Sequence, residues 1–329
     1  MITRNGSAIR YAWSGAAGLA LGLMVAATTP ALAQNAQPVP GTSVSLVAPQ
    51  GFEPASGFAG LMNKQSQASV LVVEMPAEAH AQVATLFSSL DVAKTNFAQQ
   101  NVDVQKIEQI DTAGGKVPLV SGKQTVGAAK LDKWVSLFKG AKTVMITVQA
   151  PESAKLQSDE VKKLMASVSL GKEPSIQEKL SSLPFAIQVA EPFRVVDTIG
   201  GAGVLMTVGE KNTDPTASQP VMITAYQMSA PVSAEQLETI SDALLKQTNE
   251  LQNAAVKEKK RVPFAGQNGV LTTGTFKHSN GSDKAFSQYI AVDPDGKFVR
   301  LIVMADQAQM ASLQPAIEKT AGTVAFTGK

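Results

Sequence analysis

The chain has 329 residues, 44% of them hydrophobic and 17% charged, with 29 Lys+Arg against 27 Asp+Glu and no Cys. The absence of Cys excludes disulfides, thiolate metal sites, haem attachment through CxxCH and the lipidated Cys of a bacterial lipoprotein. The near-balance of charge excludes the long-range field that nucleic acid or an anionic membrane would require.

The N-terminus reads as a secretory signal peptide over residues 1–33. Arg4 and Arg10 make a positive n-region, Ala16 to Ala27 an apolar stretch, Pro30 a helix break, and Ala31-Leu32-Ala33 a small-x-small cleavage site. Cleavage after Ala33 is expected, leaving Gln34 first. The apolar run of about 12 residues falls short of the ~20 that a bilayer core requires. The two signal arginines carry the whole positive excess, because 27 basic and 27 acidic residues follow them. The expected product is a bacterial periplasmic or secreted protein with no stable membrane anchor, large enough for one large domain or two ordinary ones.

Residues 34–42 (QNAQPVPGT) read as a flexible arm and 171–183 (GKEPSIQEKLSSL) as a linker. The segments 43–170 and 184–329 read as two copies of one unit. Each opens with an alternating strand and an aromatic turn: Val44-x-Leu46 with Gly51-Phe52, and Phe185-x-Ile187 with Pro192-Phe193, offset by 141. Gly60-Leu61-Met62 then matches Val204-Leu205-Met206. VLVVEMP (70–76) matches MITAYQMS (222–229), with Met75 opposite Met228; the polar loop Lys211 to Pro220 lengthens the second hairpin. A helix follows, with Val83, Leu86, Phe87, Leu90 and Phe97 on one face, and Leu237, Ile240, Leu244 and Leu251 in its counterpart. Ser233-x-x-Gln236 reads as a capping box. Lys116-Val117-Pro118 is set against Arg261-Val262-Pro263, and Val144-x-Ile146-x-Val148 against Val299-x-Leu301-x-Val303. Short helices (Val161, Leu164, Met165; Met310, Leu313, Ile317) and the tails Val168-x-Leu170 and Val324-x-Phe326 close each copy. The offset drifts from 141 to 156.

Each copy therefore predicts β-β-β-α-β-β-β-α, an α+β unit with a mainly antiparallel sheet covered by helices. Lys139-Gly140 and Asp293-Pro294-Asp295-Gly296 signal hairpins. The strand entering APQGF (48–52), the next hairpin, the mid-unit helix and the final strand–helix resemble the PsbP-like fold, with its DcrB-like envelope proteins and LpqN-like lipoproteins. The resemblance implies an α/β/α sandwich and a non-catalytic binding or assembly role. It carries over no site residue, and this chain lacks the lipidated Cys of the lipoprotein members.

The residues offer little chemistry, and no catalytic, cofactor-binding or metal residue is assigned. His80 sits in a polar approach to a helix. Lys277-His278-Ser279-Asn280-Gly281-Ser282-Asp283 holds Ser, His and Asp, but a triad needs the His between its partners in space, and Asn-Gly signals a solvated hairpin tip. Asp293 and Asp295 lie in a loop far shorter than an EF-hand, so a tight turn is preferred to calcium. Ile199-Gly200-Gly201-Ala202-Gly203 precedes a strand, whereas a phosphate cradle needs a helix N-terminus. Lys257-Glu258-Lys259-Lys260-Arg261 lacks the interleaved aromatics of a nucleic-acid site and reads as a solvated strand end. Trp134-x-Ser136-x-Phe138 places its aromatics on one face, expected in the core; Trp13 leaves with the signal.

The expected function is a non-enzymatic protein of the cell envelope that binds a protein partner or supports envelope assembly. The alternatives are a binder of small or hydrophobic ligands, for which 11 Met allow an adaptable surface, and a hydrolase whose carboxylates meet only in space.

Overall fold

The computed structural model describes residues 35–227 and 233–327. The signal predicted over 1–33, its cleavage point and the Met228 match lie outside these residues. The chain runs β1 (Gln37–Pro38), β2 (Val44–Leu46), β3 (Glu53–Pro54), β4 (Gly60–Asn63), β5 (Ala68–Met75), α1 (Ala79–Ala84), α2 (Leu90–Ala98), β6 (Val102–Thr112), β7 (Gly115–Val126), β8 (Ala129–Lys139), β9 (Thr143–Pro151), α3 (Ser158–Ala166) and β10 (Ser169–Leu170). After α4 (Ile176–Ser181) come β11 (Phe185–Ala186), β12 (Arg194–Ile199), β13 (Gly203–Thr207), β14 (Val221–Gln227), α5 (Leu237–Gln247), β15 (Ala255–Phe264), β16 (Gln267–Lys277), β17 (Asp283–Val292), β18 (Phe298–Asp306), α6 (Gln307–Ala321) and β19 (Ala325–Phe326).

These elements build an α+β architecture on two seven-stranded antiparallel sheets, ordered β3-β4-β5-β9-β8-β7-β6 and β12-β13-β14-β18-β17-β16-β15. Strand for strand the two orders are the same. In both halves the opening strand pairs with the closing tail outside the large sheet, β2 with β10 and β11 with β19. A bulge follows Val104 in β6 and Val256 in β15, and a glycine stands opposite each, Gly122 and Gly274. A Cβ at Gly122 would lie 2.2 Å from the Asp103 carbonyl oxygen, and one at Gly274 2.2 Å from that of Ala255. Bulge and glycine are thus one device, because the bulged strand pushes its backbone onto its neighbour.

Side-chain alternation divides each core between the faces of its sheet. On β8, Trp134 and Phe138 join Val70, Ile146 and Val148 with Val161, Leu164 and Met165 of α3. Val135 and Leu137 point the other way, toward Phe87, Ala93 and Phe97. Trp134 is core, as its spacing predicts. In the second half Met206, Met222 and Leu301 pack with Leu313 and Ile317 of α6.

Several expectations are corrected. Each large sheet has four strands after the mid-unit helix, where three were predicted. In the first half the missing one is the outer strand β6, whose water-facing side chains blur the apolar period; in the second the reading starts inside the outer strand β15, at Arg261. Lys116-Val117-Pro118 and Arg261-Val262-Pro263 are not equivalent: the first follows the Ala113-Gly114 turn into β7, the second precedes the Ala265-Gly266 turn in β15. The helix read from Val83 to Phe97 is broken. A 3-10 turn (Thr85–Phe87) ends its first part, and Ser89, in extended backbone, caps α2 by accepting from the Val92 N–H. No capping box forms at Ser233, which accepts from the Glu235 N–H and opens a 3-10 turn (Ala234–Gln236) before α5. The reciprocal box stands at Ser175 and Glu178, inside the stretch read as a linker, and starts α4. Within the arm read over 34–42, β1 pairs with β2 and Val39 is buried.

Candidate functional site

The halves meet at a ring of charges. Lys179 of α4, its side chain only 3% exposed, donates to Glu173 at 2.5 Å and Asp197 at 2.7 Å. Lys142, beside the β8–β9 turn, reaches the same two carboxylates at 2.5 and 3.6 Å. Lys142 belongs to the first half and Asp197 of β12 to the second, so the ring ties them. Beside it the Ser43 N–H and hydroxyl both donate to Glu74, at 2.8 and 2.5 Å. The glycine-rich loop docks here too. Gly200 and Gly201 take positive φ, and the Gly200 carbonyl accepts from the Ala59 N–H at 2.7 Å. A Cβ on Gly201 would lie 2.4 Å from the Ala59 nitrogen. Turning and close approach both require glycine. A cavity of about 40 Å³ remains among Glu74, Lys142, Lys179 and Asp197, room for a water.

Burial alone would depress the Lys179 ammonium, but its hydrogen bonds to Asp197 and Glu173 outweigh that and raise it. Burial likewise works against Asp197 and Glu173 as carboxylates. Hydrogen bonds from Lys179 to Asp197, and from Lys142 and Lys179 to Glu173, nevertheless hold both below the usual carboxylate range.

A groove of about 670 Å³ opens at one end of the first sheet. Ala84, Ala113, Pro118 and Leu170 contribute apolar surface to it, over the buried Val117, Phe138 and Val168. His80 of α1, Lys116 at the start of β7 and Lys139 at the end of β8 bring nitrogen, and no carboxylate lines it. The same corner of the second half holds a groove of about 490 Å³, lined by Ser233, Ala234, Gln267 and the turn Asp293 to Gly296. There the β17–β18 turn replaces the β8–β9 turn and brings two aspartates. Burial, then the charges of Asp293 and Asp295, push the Tyr226 phenol up to about 12.

The second half also carries a buried polar network with no counterpart among the described residues of the first. Ser241 of α5 shares a 2.9 Å hydrogen bond with Thr272, and Gln288 donates to the Ser241 hydroxyl at 2.7 Å. Arg300 donates to Gln288 and Thr248 at 2.7 and 2.9 Å, and burial depresses its guanidinium to about 10. The network divides the apolar layer under α5 into two clusters.

The residues singled out in the sequence stay apart. His278 sits at the β16–β17 tip, where its Nδ1 accepts from the Asn280 N–H. The Ser282 hydroxyl donates to Asn280 and Asp283 pairs with Lys277, so no triad assembles. Asp293 accepts from the Lys297 N–H and closes a turn with Gly296 at positive φ. In the basic cluster, Lys259 pairs with Asp242, Lys260 with Glu258 and Arg261 with Glu238. Among the described residues no group of His, Cys, Asp and Glu is arranged to hold a metal, and no helix is long and apolar enough to cross a membrane. Sequence reading missed the charge ring, since Lys142, the Glu173 and Lys179 pair, and Asp197 come from three separate segments of the chain. It also missed the cation-rimmed groove, whose parts come from four separate segments.

No protein-family model matches the chain, and no curated protein does. Solved structures with some likeness include LpqN of Mycobacterium tuberculosis, described as involved in cell envelope biogenesis. It is 15% identical, with a TM-score of 0.34 over 43% of this chain and 82% of that one. The apo immunity protein TplEi of Pseudomonas aeruginosa is 9% identical, with a TM-score of 0.32 over 88% of this chain and 96% of that one. A chain of the Tle4-Tli4 complex is 10% identical, with a TM-score of 0.32 over 85% and 99%. Scores this low decide neither family nor function.

Proposed function

We propose that the chain is an exported, non-enzymatic protein of the cell envelope that docks a protein partner on its two clamped halves. The observation that carries this reading is the charge ring around Lys179. It holds two sheets of the same strand order in one fixed arrangement. Fixing two surfaces in place lets both engage one partner without the entropy loss a loose tether would add. Export is read from Arg4, Arg10 and the Ala31-Leu32-Ala33 site, with periplasmic residence after cleavage behind Ala33. The helix-and-sheet layering of each half is proposed to be the α/β/α sandwich of the PsbP-like kind, on the resemblance of the strand entering APQGF, the next hairpin, the mid-unit helix and the final strand–helix.

Photo-crosslinking in intact bacterial cells, followed by pull-down, tests the reading. The expected product is one stoichiometric protein partner, captured by wild type and lost by Lys179→Ala. Failure to capture any protein at positions spread over both halves sinks it. Turnover of an ester, peptide or glycan substrate that one substitution abolishes would overturn the non-enzymatic part.

A further inference from the structure

The two halves build the same corner with opposite charge. In the first, Lys116, Lys139 and His80 surround apolar surface from Ala84, Ala113, Pro118 and Leu170. In the second, Asp293 and Asp295 stand where the first half has its β8–β9 turn. The scaffold therefore does not need cations at this corner. Nor are they spent inside the protein. Lys139 has no ion-pair partner among the described residues, and Lys116 lies 3.7 Å from Asp111 with both side chains more than 70% exposed, a pair worth little. A concave site of this size, apolar with a few convergent polar groups, has the dimensions of a small-molecule site.

We infer that the first-half groove binds a free amphipathic anion. Its apolar body lies on Ala84, Ala113, Pro118 and Leu170, and its carboxylate or phosphate head is held by Lys116, Lys139 and His80 through charge-assisted hydrogen bonds. The second-half groove rejects the same molecule, because Asp293 and Asp295 repel the head. This site is separate from the proposed partner-docking role, and either can fail without the other.

Titration calorimetry of the purified protein with dodecanoate and dodecyl phosphate, each below its micelle concentration, tests the inference. Dodecanol serves as the uncharged control. The expected result is one bound anion per chain, with dodecanol weaker by about tenfold or more, the effect of roughly one charge-assisted contact. Lys116→Gln with Lys139→Gln should weaken dodecanoate by a similar factor. Both lysines are exposed, so an unchanged circular dichroism spectrum is expected to confirm folding. Asp293→Asn with Asp295→Asn should leave the dodecanoate affinity of the first-half groove unchanged. Equal binding of dodecanol, an unaffected lysine variant, no binding of either anion, or binding only to phosphatidylglycerol vesicles would each overturn the inference.

Discussion

The two halves share a strand order and differ in what they bury and what they display. Under α2 the first half packs Val120 and Val135. Under α5 the second half packs Thr272 and Gln288, which join Ser241 of that helix in a hydrogen-bonded network that reaches Arg300. The first half shows cations at its sheet end and the second shows aspartates. Backbone geometry constrains what must recur, namely the bulge, its glycine and the strand order. Surfaces that carry no packing duty are free to diverge. Two sheets of the same strand order can in this way keep one stability rule and present two chemistries.

The largest expected effect comes from the central strand that joins the two parts of each sheet. Ile146→Ala and Leu301→Ala each empty a fully buried site and should destabilise by about 2–5 kcal/mol. Urea unfolding followed by circular dichroism checks whether one transition or two results. If the ring couples the halves, each variant lowers a single shared midpoint; separate transitions would show the halves to be independent.

Lys179→Ala should cost about 2–3 kcal/mol. That is less than breaking a fully buried pair, because Glu173 and Asp197 stay about 40% exposed or more. It should also split unfolding into two steps. The ring's pH window follows from the direction of each shift. Glu173 and Asp197 are depressed from 4.5 and 3.8, so their contribution is complete above those values and is lost as pH falls through the lower folded ones. Lys179 is raised from 10.5, so its contribution is complete below 10.5 and is lost as pH rises through the folded value. Stability of the wild type measured against that of Lys179→Ala should show the gap narrowing at both ends.

Gly122→Ala and Gly274→Ala test the equivalence most directly. Each drives a Cβ onto a backbone oxygen, and each should cost about 1–3 kcal/mol. Equal losses support one device used twice; a tolerated substitution in one half would show that its bulge can relax. The smallest effect is at the helix starts. Ser89→Ala removes the cap of α2 and should cost about 1 kcal/mol, whereas Ser233→Ala touches only a 3-10 turn and should cost less. Thermal melts of the two variants compare them.

Much of the fold was legible because its signals are local. Val144-x-Ile146-x-Val148 and Val299-x-Leu301-x-Val303 alternate as buried central strands must, and both occupy the strand next to the third. The outer strand β6 escaped, since one edge and much of its surface meet water, and its counterpart β15 was mistaken for the partner of β7. The Ala113-Gly114 and Ala265-Gly266 turns, 152 residues apart, held the better alignment signal. The box Ser175-x-x-Glu178 was equally readable and marked a helix where Pro and polar residues suggested only a linker.

The sequence by itself determined that the chain carries an α+β pattern twice, that Trp134 is core, and that His278 and Asp293 belong to turns. Periodicity and turn chemistry act over a few residues and survive without a structure. Only the tertiary structure decided that Lys142, Glu173, Lys179 and Asp197 form one ring, that Gly201 must be small because Ala59 presses on it, and that equivalent corners carry opposite charge. Those facts depend on which distant residues the sheet order brings together, and side-chain spacing along the chain holds no record of that.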